Sequence, residues 1–127
     1  MKILIVEDED LAVKKIKKTL AEVDDTADVI GITDSIQGTV NWLESNATPD
    51  LILMDIELSD GQSFEIFNRT KVKSPVIFTT SYDEFALKAF KVNSIDYLLK
   101  PISFIDLNEA IKRLERKQTA TTNQQRI

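Results

Sequence analysis

A chain of 127 residues, 43% hydrophobic and 29% charged, has the length and balance of one globular domain with one core. It contains no histidine and no cysteine, which excludes Ser-His triads, thiolate metal sites and disulfides and leaves carboxylates, hydroxyls, lysine and a hard metal ion to carry any chemistry. A net charge of −5 makes it a poor nucleic-acid binder by itself, and no apolar run approaches the roughly 20 residues that span a bilayer. The start, Met1 to Val6, is too short and too soon acidic for a signal peptide, so a cytoplasmic location is expected.

Residues 2–6 form a buried-strand run that ends in the acidic series Glu7 to Asp10. Ala12, Val13, Ile16, Leu20 and Val23 then recur at helical spacing, with lysines 14, 15, 17 and 18 opposite them. Asp28–Thr33 reads as a second strand, Asp34-Ser35 as a helix N-cap, and Ile36, Val40 and Leu43 as the next inward stripe, stopped at Asn46 to Pro49. Leu51 to Met54 is a continuous apolar run leading straight into Asp55, the pattern of a strand buried on both faces. Ser59-Asp60-Gly61 signals a turn, followed by a helix with Phe64 and Phe67 inward. Val76 to Thr79 is a fourth strand with Thr80-Ser81 at its end. Ser81 to Glu84 has capping-box spacing before a helix with Ala86, Ala89 and Phe90 inward. Ile95 to Leu99, interrupted by Asp96, is an edge strand closed by Lys100-Pro101. Ser103 caps a last helix with the stripe Leu107, Ala110, Ile111 and Leu114, and the polar residues 118–127 lack a period and read as a linker. Strand and helix alternate five times, which predicts βαβ units around a parallel sheet. Three glycines allow no glycine-rich phosphate loop.

In such a sheet ligands bind at the carboxyl ends of the strands, in the crevice where the strand order reverses. Glu7-Asp8, Asp55, Thr80 and Lys100 all end strands and should meet at that rim. Close carboxylates repel, and a hard cation such as Mg²⁺ relieves the repulsion, with Asp8 and Asp55 as ligands and Glu7 acting through water. A metal, an ammonium and a hydroxyl around a carboxylate match a transferring phosphoryl group, with Asp55 as nucleophile. Each feature alone has a plainer reading: Asp8 as a helix N-cap, Asp55 as a turn starter, Thr80 as a strand-end hydroxyl, Lys100 as a solvated lysine at a strand stop. The four at one rim carry the argument.

With these residues in place, the chain resembles the receiver domain of bacterial two-component response regulators. The resemblance rests on Ile3–Glu9 (ILIVEDE), Pro49–Ile56 (PDLILMDI), Asp60-Gly61, Pro75–Ser81 (PVIFTTS) and Asp96–Pro101 (DYLLKP), and covers residue 2 to about 117. Thr80–Phe90 (TSYDEFALKAF) and Asn93–Pro101 are similar to the LytTR (LytR/AlgR-type) class. The resemblance implies a flavodoxin-like (CheY-like) doubly wound α/β fold, a five-stranded parallel sheet of order 2-1-3-4-5 with five helices. It assigns residues 1–117 to the receiver and 118–127 to a linker towards a C-terminal LytTR DNA-binding domain absent from this chain. It further implies Asp55 as the residue phosphorylated by a sensor histidine kinase. Mg²⁺ would be held by Asp8, Asp55 and the backbone carbonyl of Glu57, with Glu7 assisting through water. Thr80 and Lys100 would contact the phosphoryl group, with Tyr97 as the aromatic switch. Only self-phosphotransfer and slow autodephosphorylation are implied, not a metabolic activity. The loop after Asp55 departs from the commoner pattern: Ser59 stands where proline is frequent, and Asp60-Gly61 comes early.

The fourth helix, fifth strand and fifth helix are the expected response surface, bearing Lys88, Lys91, Asp96, Glu109, Lys112 and Arg113. Mixed charges on one face suit reciprocal contacts in a homodimer formed on phosphorylation. The rival readings are a Mg²⁺-dependent aspartyl-phosphate phosphohydrolase, an unphosphorylated receiver-like interaction module and a flavin or nucleotide module. Against the first stands Glu57, where a second Asp would be required two residues after Asp55.

Overall fold

The computed structural model describes residues 1–82 and 94–125. Its main sheet is built from β1 (Lys2–Val6), β2 (Asp28–Thr33), β3 (Leu51–Asp55), β6 (Val76–Thr80) and β7 (Asp96–Leu99), all parallel, in the order β2-β1-β3-β6-β7. Two further strands, β4 (Glu57–Leu58) and β5 (Gly61–Gln62), form a small antiparallel hairpin outside that sheet. Without the hairpin, the order is the expected 2-1-3-4-5. The chain moves from β1 to β2 on one side and to β3 on the other, so the switch point lies between β1 and β3.

The apolar runs form strands because both faces of the sheet are covered. Ile3, Ile5, Leu51, Leu53 and Ile77 face one way, onto Val13, Ile16 and Leu20 of α1 (Asp10–Val23) and Leu107, Ala110, Ile111 and Leu114 of α4 (Phe104–Gln125). Leu4, Val6, Ile52, Met54 and Phe78 face the other way, onto Ile36 and Val40 of α2 (Ile36–Ser45) and Ile66 of α3 (Ile66–Arg69). Each such side chain contributes roughly 1.5–3 kcal/mol by leaving water, so the central strands set the register of the whole sheet.

Helix boundaries follow the signals in the sequence where side chains can act as caps. Ser35 Oγ accepts the Gly38 N–H at 2.9 Å, and Ser103 Oγ accepts the Asp106 N–H at 3.1 Å. Two elements differ from expectation. The helix after Gly61 is a single 3₁₀ turn, Ser63–Glu65, running into the short α3. Phe64 and Phe67 do pack inward, with ring centroids 5.1 and 6.0 Å from Phe78, but the fully buried residue between them is Ile66. The last helix does not stop at 117 but runs to Gln125, because adding a residue to a formed helix needs no apolar stripe. The expected fourth helix, with Ala86, Lys88, Ala89, Phe90 and Lys91, lies outside the described residues.

One packing contact gives a testable consequence. A Cβ on Gly31 of β2 would lie 2.6 Å from Nε1 and 2.7 Å from Cε2 of Trp42 on α2. Gly31→Ala is therefore expected to destabilise the fold by about 1–3 kcal/mol through overpacking. Urea unfolding followed by the fluorescence of Trp42, the sole tryptophan, measures this. A variant as stable as wild type would show that the indole moves aside freely.

Candidate functional site

The strands deliver four charged side chains to one rim. Asp55 is the last residue of β3, and Glu7 follows the last residue of β1 directly. Strand alternation turns both towards the α1 and α4 side, two residues beyond Leu53 and Ile5 respectively. Both are buried, Glu7 2% and Asp55 5% exposed, while Asp8 next to Glu7 is exposed. Oxygen atoms of Glu7, Asp8 and Asp55 lie within 4.8 Å of one another. Lys100, which follows β7, places its Nζ 2.5 Å from Glu7 Oε1 and 3.2 Å from Asp55 Oδ2, and the peptide bond after it is cis. The Glu57 N–H donates to Asp55 Oδ1 at 3.3 Å, and the Glu9 N–H to Glu7 Oε2 at 3.3 Å.

The charges explain each other's protonation. Burial pushes the Glu7 carboxyl up, the hydrogen bond from Lys100 pulls it down, and the nearby Asp55 pushes it up again; the net direction is up. Asp8 is raised as well, first by desolvation and then by its bond to Glu7. Burial alone would lower Lys100, but the bond to Glu7 and the charge of Asp55 outweigh it and hold the ammonium above its ordinary value. A simple ion pair would lower its acid. Glu7 rises because its burial outweighs the bond from Lys100, and the neighbouring Asp55 adds to the rise.

The residues fit a divalent cation on this ground. Three clustered carboxylates face one ammonium, leaving two negative charges, the amount that Mg²⁺ neutralises. The ligand set would be oxygen only, as a hard ion prefers.

Thr80 ends β6 and is fully buried. Alternation places it with Phe78 and with Tyr97, on the sheet face opposite Asp55. Its Oγ1 accepts the Tyr82 N–H at 3.2 Å, and the Tyr97 hydroxyl donates to the Tyr82 carbonyl oxygen. Thr80 and the half-buried Tyr97 thus grip the two polar groups of one residue. Reading the sequence assigned roles to both side chains but missed this bridge, since a backbone contact leaves no trace in residue type. On the expected response surface, Asp96 and Arg113 are paired at 2.5 Å within the chain. Glu109 and Lys112 lie on α4, and Lys88 and Lys91 fall outside the described residues.

The response regulator receiver domain profile matches residues 3–112. The chain is 36% identical over 121 residues to the sensory transduction protein LytT of Bacillus anthracis, covering 93% of this chain and 48% of that protein. It is 32% identical over 119 residues to the positive alginate biosynthesis regulatory protein of Pseudomonas aeruginosa, covering 91% of this chain and 48% of that protein. The response regulatory domain of protein mrkE from Klebsiella pneumoniae superposes with a TM-score of 0.80 at 25% identity, covering 92% of this chain and 97% of that one. The chain spans about half the length of the relatives it matches. Among the described residues, no helix is long and apolar enough to cross a membrane.

Proposed function

This chain belongs to the response regulator receiver domain family, and from that premise we propose that it is the phosphoacceptor switch of a two-component system, phosphorylated on Asp55 by a sensor histidine kinase with Mg²⁺. One observation carries the reading: Asp55 is buried at the end of the central strand, within reach of both an ammonium and two further acids.

Asp55 supplies the attacking oxygen. A new O–P bond forms on its carboxylate while the bond from phosphorus to the kinase's imidazole nitrogen breaks, and the electron pair leaves with the imidazole. Lys100 already sits 3.2 Å from Asp55 Oδ2, so its Nζ can follow the charge onto a phosphoryl oxygen. Asp8, Asp55 and the Glu57 carbonyl would hold Mg²⁺, with Glu7 acting through water. When bound, the ion supplies Lewis-acid neutralisation of charge on the phosphoryl oxygens. The activity is self-phosphotransfer and autodephosphorylation in the service of regulation, in the cytoplasm.

Phosphorylation must favour the active form by a free-energy difference between two states, since equal affinity for both shifts nothing. Thr80 is where that difference would arise. A hydroxyl drawn towards the phosphoryl group gives up the Tyr82 N–H, and Tyr97 holds the same residue's carbonyl. The result would be a homodimer formed through β7, α4 and the residues before β7. By its likeness to the LytTR class, any contact with DNA would pass through a separate DNA-binding domain rather than through these residues.

Intact-mass measurement after incubation with acetyl phosphate and Mg²⁺ tests the acceptor reading. One phosphoryl group per chain is expected, and an unmodified protein counts against it. Thr80→Ala is expected to take up phosphate to nearly the wild-type level yet stay monomeric by sedimentation. A phosphorylated variant that dimerises like wild type would remove Thr80 from the coupling.

A further inference from the structure

The loop after Asp55 is unusually built. Glu57 pairs with Gln62 and Leu58 with Gly61, and Gly61 has φ +136°, a conformation that favours glycine. Two residue pairs are too few to hold a hairpin by themselves. Leu58 reaches into the second core, and the Ser63 N–H donates to the Ile56 carbonyl at 2.8 Å.

A further tie is Asp60, at the hairpin turn. Its Oδ1 accepts the Ile36 N–H at 2.8 Å and its Oδ2 the Gln37 N–H at 3.3 Å. These are the first two amides of α2, and Ser35 Oγ takes the third. The start of a helix carries orphan N–H groups and partial positive charge, so a carboxylate there is held by charge as well as by hydrogen bonds. The Ile36 N–H in turn holds the Asp60 carboxyl below its ordinary value. Ser59 Oγ adds a longer bond to the Asp34 carbonyl at 3.4 Å. The start of α2 is itself keyed to the rim: the hydroxyls of Thr33 and Thr39 are 2.7 Å apart, and the Thr33 carbonyl accepts the Glu7 N–H at 2.9 Å. A chain of bonds thus runs from the hairpin through α2 and the end of β2 to Glu7.

We propose that Asp60 is a positioning residue for the cation site, strapping the hairpin that carries the Glu57 carbonyl to the segment that carries Glu7 and Asp8. The proposal rests on the Mg²⁺ reading above. It differs from ordinary helix capping because the cap comes from the loop that follows Asp55, not from the helix's own flank. Removing it loosens one ligand relative to the others, while removing Ser35 weakens the same helix without freeing the loop.

Calorimetric titration with Mg²⁺ of the wild type, Asp60→Ala, Asp60→Asn and Ser35→Ala, well below their melting temperatures, separates the two roles. Asp60→Ala is expected to bind Mg²⁺ about tenfold more weakly, the size of effect common for groups that orient metal ligands. Asp60→Asn keeps an acceptor and should recover part of the loss, and Ser35→Ala should bind as wild type does. Equal weakening in Asp60→Ala and Ser35→Ala would overturn the positioning role in favour of helix stability alone. Unchanged binding in a folded Asp60→Ala or Asp60→Asn would overturn it outright. A wild type that binds no Mg²⁺ would sink the cation site itself, and this proposal with it.

Discussion

Asp55→Asn is expected to take up no phosphate from acetyl phosphate or from a phosphorylated kinase, while becoming slightly more stable in the absence of metal. The first effect follows from removing the nucleophile. An amide oxygen is a poor attacking group, and neighbouring Glu7, engaged by Lys100 and the Glu9 N–H, is not placed to replace it. The second effect follows from charge. Two buried carboxylates share the Lys100 ammonium, and Lys100 is closer to Glu7 at 2.5 Å than to Asp55 at 3.2 Å. Neutralising Asp55 leaves a one-to-one pair and removes a repulsion that raises Glu7. A small gain in stability is therefore expected. Intact mass measures the first effect and urea unfolding without metal the second, where Mg²⁺ should no longer stabilise the variant. Phosphate retained by Asp55→Asn would move the acceptor elsewhere and end the reading of this site.

Lys100→Met should have the larger cost to stability. The methionine keeps the apolar stem but strips Glu7 and Asp55 of their counter-ion while both remain buried. Breaking a buried pair by removing one partner costs about 3–5 kcal/mol, and the partial exposure of Lys100 places this case near the lower figure, roughly 3 kcal/mol at neutral pH without metal. The pH dependence has a definite sign. The folded state raises Glu7 above its ordinary 4.5, so Glu7's contribution is fully present below that value and is lost as pH rises through the folded value. The raised Lys100 contributes below its ordinary 10.5 and is lost only in alkali, so it is intact across the neutral range. The gap between wild type and Lys100→Met should therefore be widest near neutrality and narrow as acid protonates Glu7. Mg²⁺ should close much of it at neutral pH by supplying the missing positive charge. Equal stabilities at neutral pH, indifferent to Mg²⁺, would show that the acids do not depend on this ammonium.

The legible parts of the molecule are those whose signal is local. Leu51 to Met54 reads as a doubly buried strand because no polar residue interrupts it, and Val13, Ile16 and Leu20 read as a helix face because their spacing follows the helical turn. The acids and the lysine of the site stand out because each ends such an apolar run. The extension of α4 to Gln125 is not legible, since its residues carry no stripe and the helix continues from one already formed. Ile66 is hidden by two more conspicuous phenylalanines, and only the packing around Phe78 shows that it is the more deeply buried.

The amino-acid order alone determined the five parallel strands, the rim at which Glu7, Asp8, Asp55 and Lys100 gather, and the absence of histidine or thiol chemistry. Only the folded chain decided that Lys100 bridges Glu7 and Asp55, that Thr80 and Tyr97 meet at the Tyr82 backbone, and that Asp60 ties the loop after Asp55 to α2. The reason is one of range: periodicity and charge are properties of neighbouring residues, whereas an ion pair between positions 7 and 100 exists only once the sheet has closed the distance between them.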